Sequence, residues 1–276
     1  MIARTLRSLV VLAAVALPAP ALASAEAIRE ALRVDETLEV VQSEGLRDAR
    51  SLAEGPMGEA LGGGWDRRVA EIYDLDRMRG IFAEQFDAAI DDMPSDHRDE
   101  VLAFFDDGPG AEAVALEVAA RESLLDDEVE EIARAELQQM RDDDDPRLDR
   151  IEAFAEANNL IDGNVAVALN STVAFHRAMI AGAGGALDRD EADVMRYARN
   201  REEAIREDAE DWVMRFLALA YRPLSDAQLD TLTEFARSDE GRALSNALFA
   251  GYDTLFTTLS ADVGRAAGQS VGGREL

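Results

Sequence analysis

Apolar residues recur along this chain at intervals of three and four, and few valines or isoleucines alternate with polar neighbours. That periodicity predicts helices throughout and an all-α, multi-helix bundle. One helix should follow Asp35, with Leu38, Val41, Gly45, Ala49 and Leu52 on one face, and end in the glycine-rich stretch from Gly55 to Gly64. Residues 65–90 carry two apolar sets, Val69-Ile72-Tyr73 and Met78-Ile81-Phe82-Phe86-Ile90, whose phase changes between Asp74 and Asp76. Two short helices or one bent helix would fit, with Asp76 capping the second part. Ser95 should start the next helix, which carries Val101, Leu102, Phe104 and Phe105 and stops at Gly108-Pro109-Gly110. A further amphipathic stretch presents Val129, Ile132 and Met140.

Asp142 to Asp145 followed by Pro146 is the clearest break, because adjacent like charges repel and the residue before a proline is pushed out of helical geometry. It divides the chain into a first half, residues 24–145, and a second, residues 146–276. The second half starts over with an apolar helix over about 164–180, a glycine turn at 182–185 and a long helix from about Asp190 to Tyr221, ended by Arg222-Pro223. Leu224-Ser225-Asp226-Ala227-Gln228-Leu229 then reads as a complete helix start. Ser225 and Gln228 can satisfy two free amides reciprocally, and Leu224 and Leu229 can pack across the turn. Ser238 begins the last long helix, with Leu244, Leu248, Tyr252, Leu255, Phe256 and Leu259 on its apolar face. Nine to twelve helices are expected in all.

The halves resemble an internal duplication. Phe104, Asp107 and Gly110 match Phe235, Ser238 and Gly241 at an offset of 131, and Ser95-Asp96 matches Ser225-Asp226 at 130. Val34-Asp35 and Ile161-Asp162 correspond at 127, each heading a helix that runs into a glycine-rich turn. In this spacing the phenylalanine closes one helix's apolar face, the small polar residue caps the next helix, and the glycine allows close approach. Leu224, Ser225, Phe235, Ser238 and Gly241 together resemble the core of the bacterial domain of unknown function 2059 family. The copy from Ser95 to Gly110 departs from that pattern, with Pro94 in place of the leucine and Asp107 in place of the serine. The resemblance implies an exported helical protein whose motif residues are structural, and it implies no activity.

The N-terminus adds a destination. Arg4 and Arg7 precede an apolar run from Leu9 to Leu17, then Pro18-Ala19-Pro20 and the small-x-small triplet Ala21-Leu22-Ala23. This is the order of a secretory signal, residues 1–23, with cleavage after Ala23 and Ala25 as the second choice. The run is about half of the roughly 20 residues that a bilayer span needs. No cysteine follows it to take a lipid anchor, so a periplasmic protein without a membrane anchor is expected.

Composition then narrows the chemistry. The chain has 57 acidic residues against 28 basic, every one of the latter arginine, and loss of Arg4 and Arg7 would take the net charge from −29 to −31. Nucleic acid is thereby disfavoured as a partner, since phosphates need basic contacts. Without lysine there is no Schiff base or phosphate-loop amine, and without cysteine no thiol nucleophile, thiolate metal site or disulfide. His97 and His176 are the only imidazoles and do not form a metal-ligand spacing; they read as a solvated and a packed histidine. Gly268-Gln269-Ser270-Val271-Gly272 spells a nucleophile elbow, but no strand precedes it and no histidine follows. Asp142 to Asp145 lacks the ligand order of a calcium loop. No catalytic, cofactor-binding or metal residue is therefore assigned.

A non-enzymatic periplasmic interaction or binding protein is the expectation, its partner an unknown protein or a small apolar ligand. The alternative is a carboxylate-based hydrolase acting on cell-envelope polymers. A ligand groove should form where the halves meet, and Trp65, Tyr73, Trp212 and Tyr252 are the large side chains with a polar handle that would suit it.

Overall fold

The structure, a computed structural model, describes residues 23–55, 58–187 and 189–273. The signal sequence therefore lies outside the described residues apart from Ala23. All the described secondary structure is helical. From the first half come α1 (Ala25–Ala31), α2 (Val34–Glu54), α3 (Gly58–Leu61), α4 (Trp65–Ile72), α5 (Leu75–Asp91), α6 (Ser95–Asp106), α7 (Pro109–Ser123) and α8 (Asp127–Asp142). The second supplies α9 (Pro146–Ala157), α10 (Leu160–Gly182), α11 (Glu191–Ala220), α12 (Asp226–Ala236) and α13 (Asp239–Gly272). Thirteen described helices exceed the expected range by one, and α3 is a single turn within the glycine-rich stretch.

Local sequence explains most boundaries. Ser225 and Gln228 form the reciprocal capping box at α12, while Ser238 caps α13 by accepting the Gly241 amide at 3.0 Å. Leu224 and Leu229 are both buried in one core. The cap of α5 is Asp74, whose carboxylate accepts the Arg77 amide at 3.0 Å; Asp76 lies in the first turn, where its charge faces the positive end of the helix. Asp107 does not cap α7. It ends α6 instead, because Pro109, with its fixed φ and no amide hydrogen, takes the first helical position. On α8 the buried positions are Ala133 and Leu137, and Ile132 is 58% exposed. Of the predicted apolar stripe, Ile132 lies off the buried face, while Val129 and Met140 are partly buried and Met140 packs against the second core.

The order of elements recurs. A leading helix, α1 or α9, turns through a left-handed residue into a long helix, α2 or α10. The turning residues are Arg33 (φ 49°, ψ 40°) and Asn159 (φ 53°, ψ 36°). A glycine-rich turn follows each long helix, then α4 and α5 in one series and the unbroken α11 in the other, then α6 or α12, then α7 or α13. Helix α8 stands between the two series. Packing crosses between them: α5 lies on α13 and α11 on α7, α6 touches α13 and α12 touches α7.

The cores are consequently shared. One unites Ile28, Leu38, Phe82, Phe86 and Ile90 with Leu244, Leu255 and Leu259. A second joins Ala113 and Leu137 to Ile151, Leu217, Tyr221 and Leu229, and a third joins Trp65 and Val69 to Val263 and Ala267. Each fully buried aliphatic or phenylalanine side chain contributes about 1.5–3 kcal/mol, so the aspartate run ends α8 without separating two independent cores.

Helices α10 and α13 make the closest approach. A Cβ placed on Gly264, Gly268 or Gly272 would lie 2.2, 2.1 or 2.6 Å from the carbonyl oxygen of Phe175, Met179 or Ala183. The elbow-like stretch is thus a packing stripe inside a helix. Ser270 donates to the Ala266 carbonyl and accepts from Arg68.

Candidate ligand cavity

Where the two series cross, their facing side chains leave a cavity of about 420 Å³. That lies within the roughly 300–1,000 Å³ range of small-molecule sites. Helix α7 brings Glu117 and Arg121, α11 brings Trp212 and Phe216, and α13 brings Leu248 and Tyr252. The motif phenylalanines of both series, Phe104 and Phe235, form part of the wall and stack with ring centres 3.9 Å apart and planes 9° from parallel. The motif glycines make room for them. A Cβ on Gly110 would lie 2.7 Å from the Phe104 ring and 2.5 Å from the Phe105 ring, and one on Gly241 would lie 2.0 Å from the Phe235 carbonyl oxygen.

Of the four large side chains expected at the meeting of the halves, two line this space. Trp212 stacks on Phe216 at 5.1 Å, and Tyr252 packs its ring 4.8 Å from Phe82. The other two lie elsewhere. Trp65 is buried in the third core, its indole donating to the Ala49 carbonyl at 2.8 Å. Tyr73 packs beside that core, its hydroxyl pushed up to about 12 by burial and by Asp48, and its carbonyl accepts from Gln42. Both sit on the short helix α4 or at its end, which packs on α2 and α13, away from the crossing of α7 and α11.

The two charged groups of the described lining lie together on α7, while Thr37, Asn158, Asn164 and Ser245 add uncharged polar groups from other elements. Arg121 donates through Nε and Nη2 to the two carboxylate oxygens of Glu44 at 3.1 and 2.8 Å, and its guanidinium carbon lies 5.5 Å from the centre of the Trp212 ring. Burial opposes the arginine's charge, but the hydrogen bonds and field of Glu44 more than offset it. Glu117, one turn earlier on α7, accepts from the Tyr221 hydroxyl. Burial pushes its carboxyl up to about 7, and the tyrosine's hydrogen bond only partly counters this. Tyr221 itself is raised well above the ordinary phenol range by burial and then by Glu117. Oε2 of Glu117 has no hydrogen-bond partner among the described residues.

Sequence reasoning did not single out Glu117. The signal was present: in Ala113-Val114-Ala115-Leu116-Glu117-Val118-Ala119-Ala120 it is the lone charge in an apolar run. Its partner Tyr221 comes from a distant segment, and so does Glu44, which draws away Arg121, the arginine one turn along α7; neither could be found by spacing.

Among the described residues no group of three or more histidine or carboxylate side chains is arranged to hold a metal ion. In the aspartate run, Asp142 and Asp143 accept from Gln138 and Gln139, and Asp145 caps α9. His176 packs edge-on against Tyr197 with ring centres 4.5 Å apart, and burial followed by Arg189 lowers its pKa. No family model, curated protein or solved structure matches the chain.

Proposed function

We propose that this is an exported, non-enzymatic protein that binds a small apolar ligand between two duplicated helical halves. The observation that carries this reading is the cavity of about 420 Å³, walled mainly by aromatic and aliphatic side chains from both series. The recurring element order and the reciprocal packing of α5 on α13 and α7 on α11 support a duplication folded about a pseudo-two-fold axis. The motif from Leu224 to Gly241 supports membership of the domain of unknown function 2059 family.

Export to the periplasm rests on the N-terminal signal pattern. Ser24 caps α1 by accepting the Ala27 amide at 3.1 Å, so a mature chain starting there keeps its first helix cap. N-terminal sequencing of the processed protein should return Ser24, and a chain still beginning at Met1 would defeat the export reading. No described helix is long and apolar enough to cross a membrane.

A hydrolase on the two-carboxylate plan needs paired carboxyl groups about 5–9.5 Å apart across a cleft. The described lining holds one, Glu117, which favours binding over hydrolysis. The test is whether a neutral dye, N-phenyl-1-naphthylamine, brightens on the protein and whether Leu248→Trp, which fills the cavity, abolishes this while helical content is retained. Equal brightening with the filled variant would place the dye elsewhere and sink the proposal.

A further inference from the structure

The protein supplies a cation for Glu44, which is not part of the described cavity lining, and none for Glu117, which is. Arg121 lies one turn from Glu117 on α7, yet its guanidinium is committed to Glu44 through two hydrogen bonds of 3.1 and 2.8 Å. No arginine stands within ion-pair distance of Glu117 among the described residues. Its one side-chain hydrogen bond among the described residues is from a neutral donor, the Tyr221 hydroxyl, to Oε1. Oε2 has no partner in the described structure, although Glu117 is part of the cavity lining. Glu117 is half-buried; a carboxylate removed from most of the solvent without a counter-charge is costly, and a cation that reaches it recovers part of that cost as binding energy.

The neighbouring walls set what carries the cation. Phe104, Phe216, Phe235 and Leu248 offer only apolar surface. Tyr252 adds a further aromatic ring, whereas the Trp212 ring is already taken by the Arg121 guanidinium and by Phe216. We infer that the ligand of this cavity is an amphiphilic amine, an apolar body ending in one protonated amino group that pairs with Glu117. The inference rests on the cavity being a ligand site. It adds the polarity of the ligand and the residue that reads it. An anionic amphiphile is disfavoured because the one cation in the described lining is already held by Glu44 and the chain carries a net charge of −29.

The raised carboxyl of Glu117 adds a signature. At pH 7 it is partly protonated, and an incoming ammonium group would drive that proton off.

Decylamine, decanol and decanoate, which share one apolar chain, can be competed against N-phenyl-1-naphthylamine at pH 7 and about 0.15 M ionic strength, where surface charge is screened. Decylamine should displace the dye at about tenfold lower concentration than decanol, as a charge-assisted bond in a half-buried site would give. Glu117→Gln, which keeps the shape and the acceptor for Tyr221, should abolish that preference, bringing the decylamine and decanol concentrations within about threefold of each other. Calorimetry in buffers of different ionisation enthalpy should show proton release with decylamine for the native protein and none for Glu117→Gln.

Tyr221→Phe serves as a second variant: it removes the neutral donor and should keep the preference for the amine. General attraction of amines to an acidic surface would survive Glu117→Gln almost unchanged, so a preference that persists in that variant overturns the inference. So does equal displacement by decylamine and decanol, or tighter binding of decanoate, with the cavity reading left standing. Failure of the dye and of all three compounds to bind would overturn the cavity reading as well.

Discussion

Glu117 is half-buried where its charge is unfavourable, and this makes stability depend on pH in a definite direction. Its carboxyl moves from an ordinary 4.5 in the unfolded chain to about 7 in the folded protein. Between those values the folded state binds more protons, so stability is greatest below the unfolded pKa and declines as pH rises through about 7. The loss is about 3 kcal/mol across that window, at 1.36 kcal/mol per pKa unit. Glu117→Gln should flatten the decline, as measured by denaturant unfolding at pH 5 and pH 8. Tyr221, Arg121, Glu44 and Tyr252 surround the site and are common to both proteins, so the difference isolates Glu117. Parallel curves for the two proteins would show that the carboxyl titrates normally. Caps could be read at the residue scale because they depend on neighbours within one turn: Ser225, Gln228 and Ser238 lie where their spacing put them. Glu117 could not be singled out by acidity alone in a chain with 57 carboxylates.

Helix contacts differ in how much room they leave at glycine, and two substitutions separate the cases. On α13 a Cβ at Gly268 would meet the Met179 carbonyl oxygen at 2.1 Å, a backbone atom that cannot swing aside. Gly268→Val should therefore push α13 from α10 and destabilise the protein by about 2 kcal/mol or more, in the upper range of overpacking. Gly80 sits exposed within α5, with nothing within 4 Å of the position a Cβ would take. Gly80→Ala should stabilise by about 0.5–1 kcal/mol through backbone entropy. Chemical denaturation of both variants checks the contrast, and two effects of the same sign would refute the packing account. Long helices bounded by glycine, proline or a cap were legible, as α2, α11, α12 and α13 illustrate. Helices α1, α7 and α9 were not foreseen. Alanine dominates the apolar residues of α1 and α7 and gives a weak periodic signal, while α9 follows directly on the aspartate run that reads as a break. The cavity required knowing that α7 meets α11, a contact that no local pattern encodes.

Across the whole molecule, charge and packing pull in opposite directions. The two helical series interlock through shared cores, so neither has an apolar interior of its own. Around these cores the arginines pair widely with carboxylates, as in Arg29–Asp87, Arg121–Glu44 and Arg222–Glu136. A partly exposed pair such as Arg222–Glu136 contributes only about 0–1 kcal/mol. Even complete pairing of 28 arginines leaves the excess carboxylates of a chain with 57 acidic residues to repel one another. Salt weakens both kinds of interaction, but repulsion among unpaired charges acts over longer distances and is screened first, with a Debye length of about 30 Å at 0.01 M and about 8 Å at 0.15 M. Contacts at hydrogen-bond distance, like the 2.8 Å bond between Arg121 and Glu44, lie inside either length. The melting temperature should therefore rise between low and physiological ionic strength at constant pH. A level or falling melting temperature over that range would show that the ion pairs outweigh the repulsion, and that the acidic surface is not what limits stability.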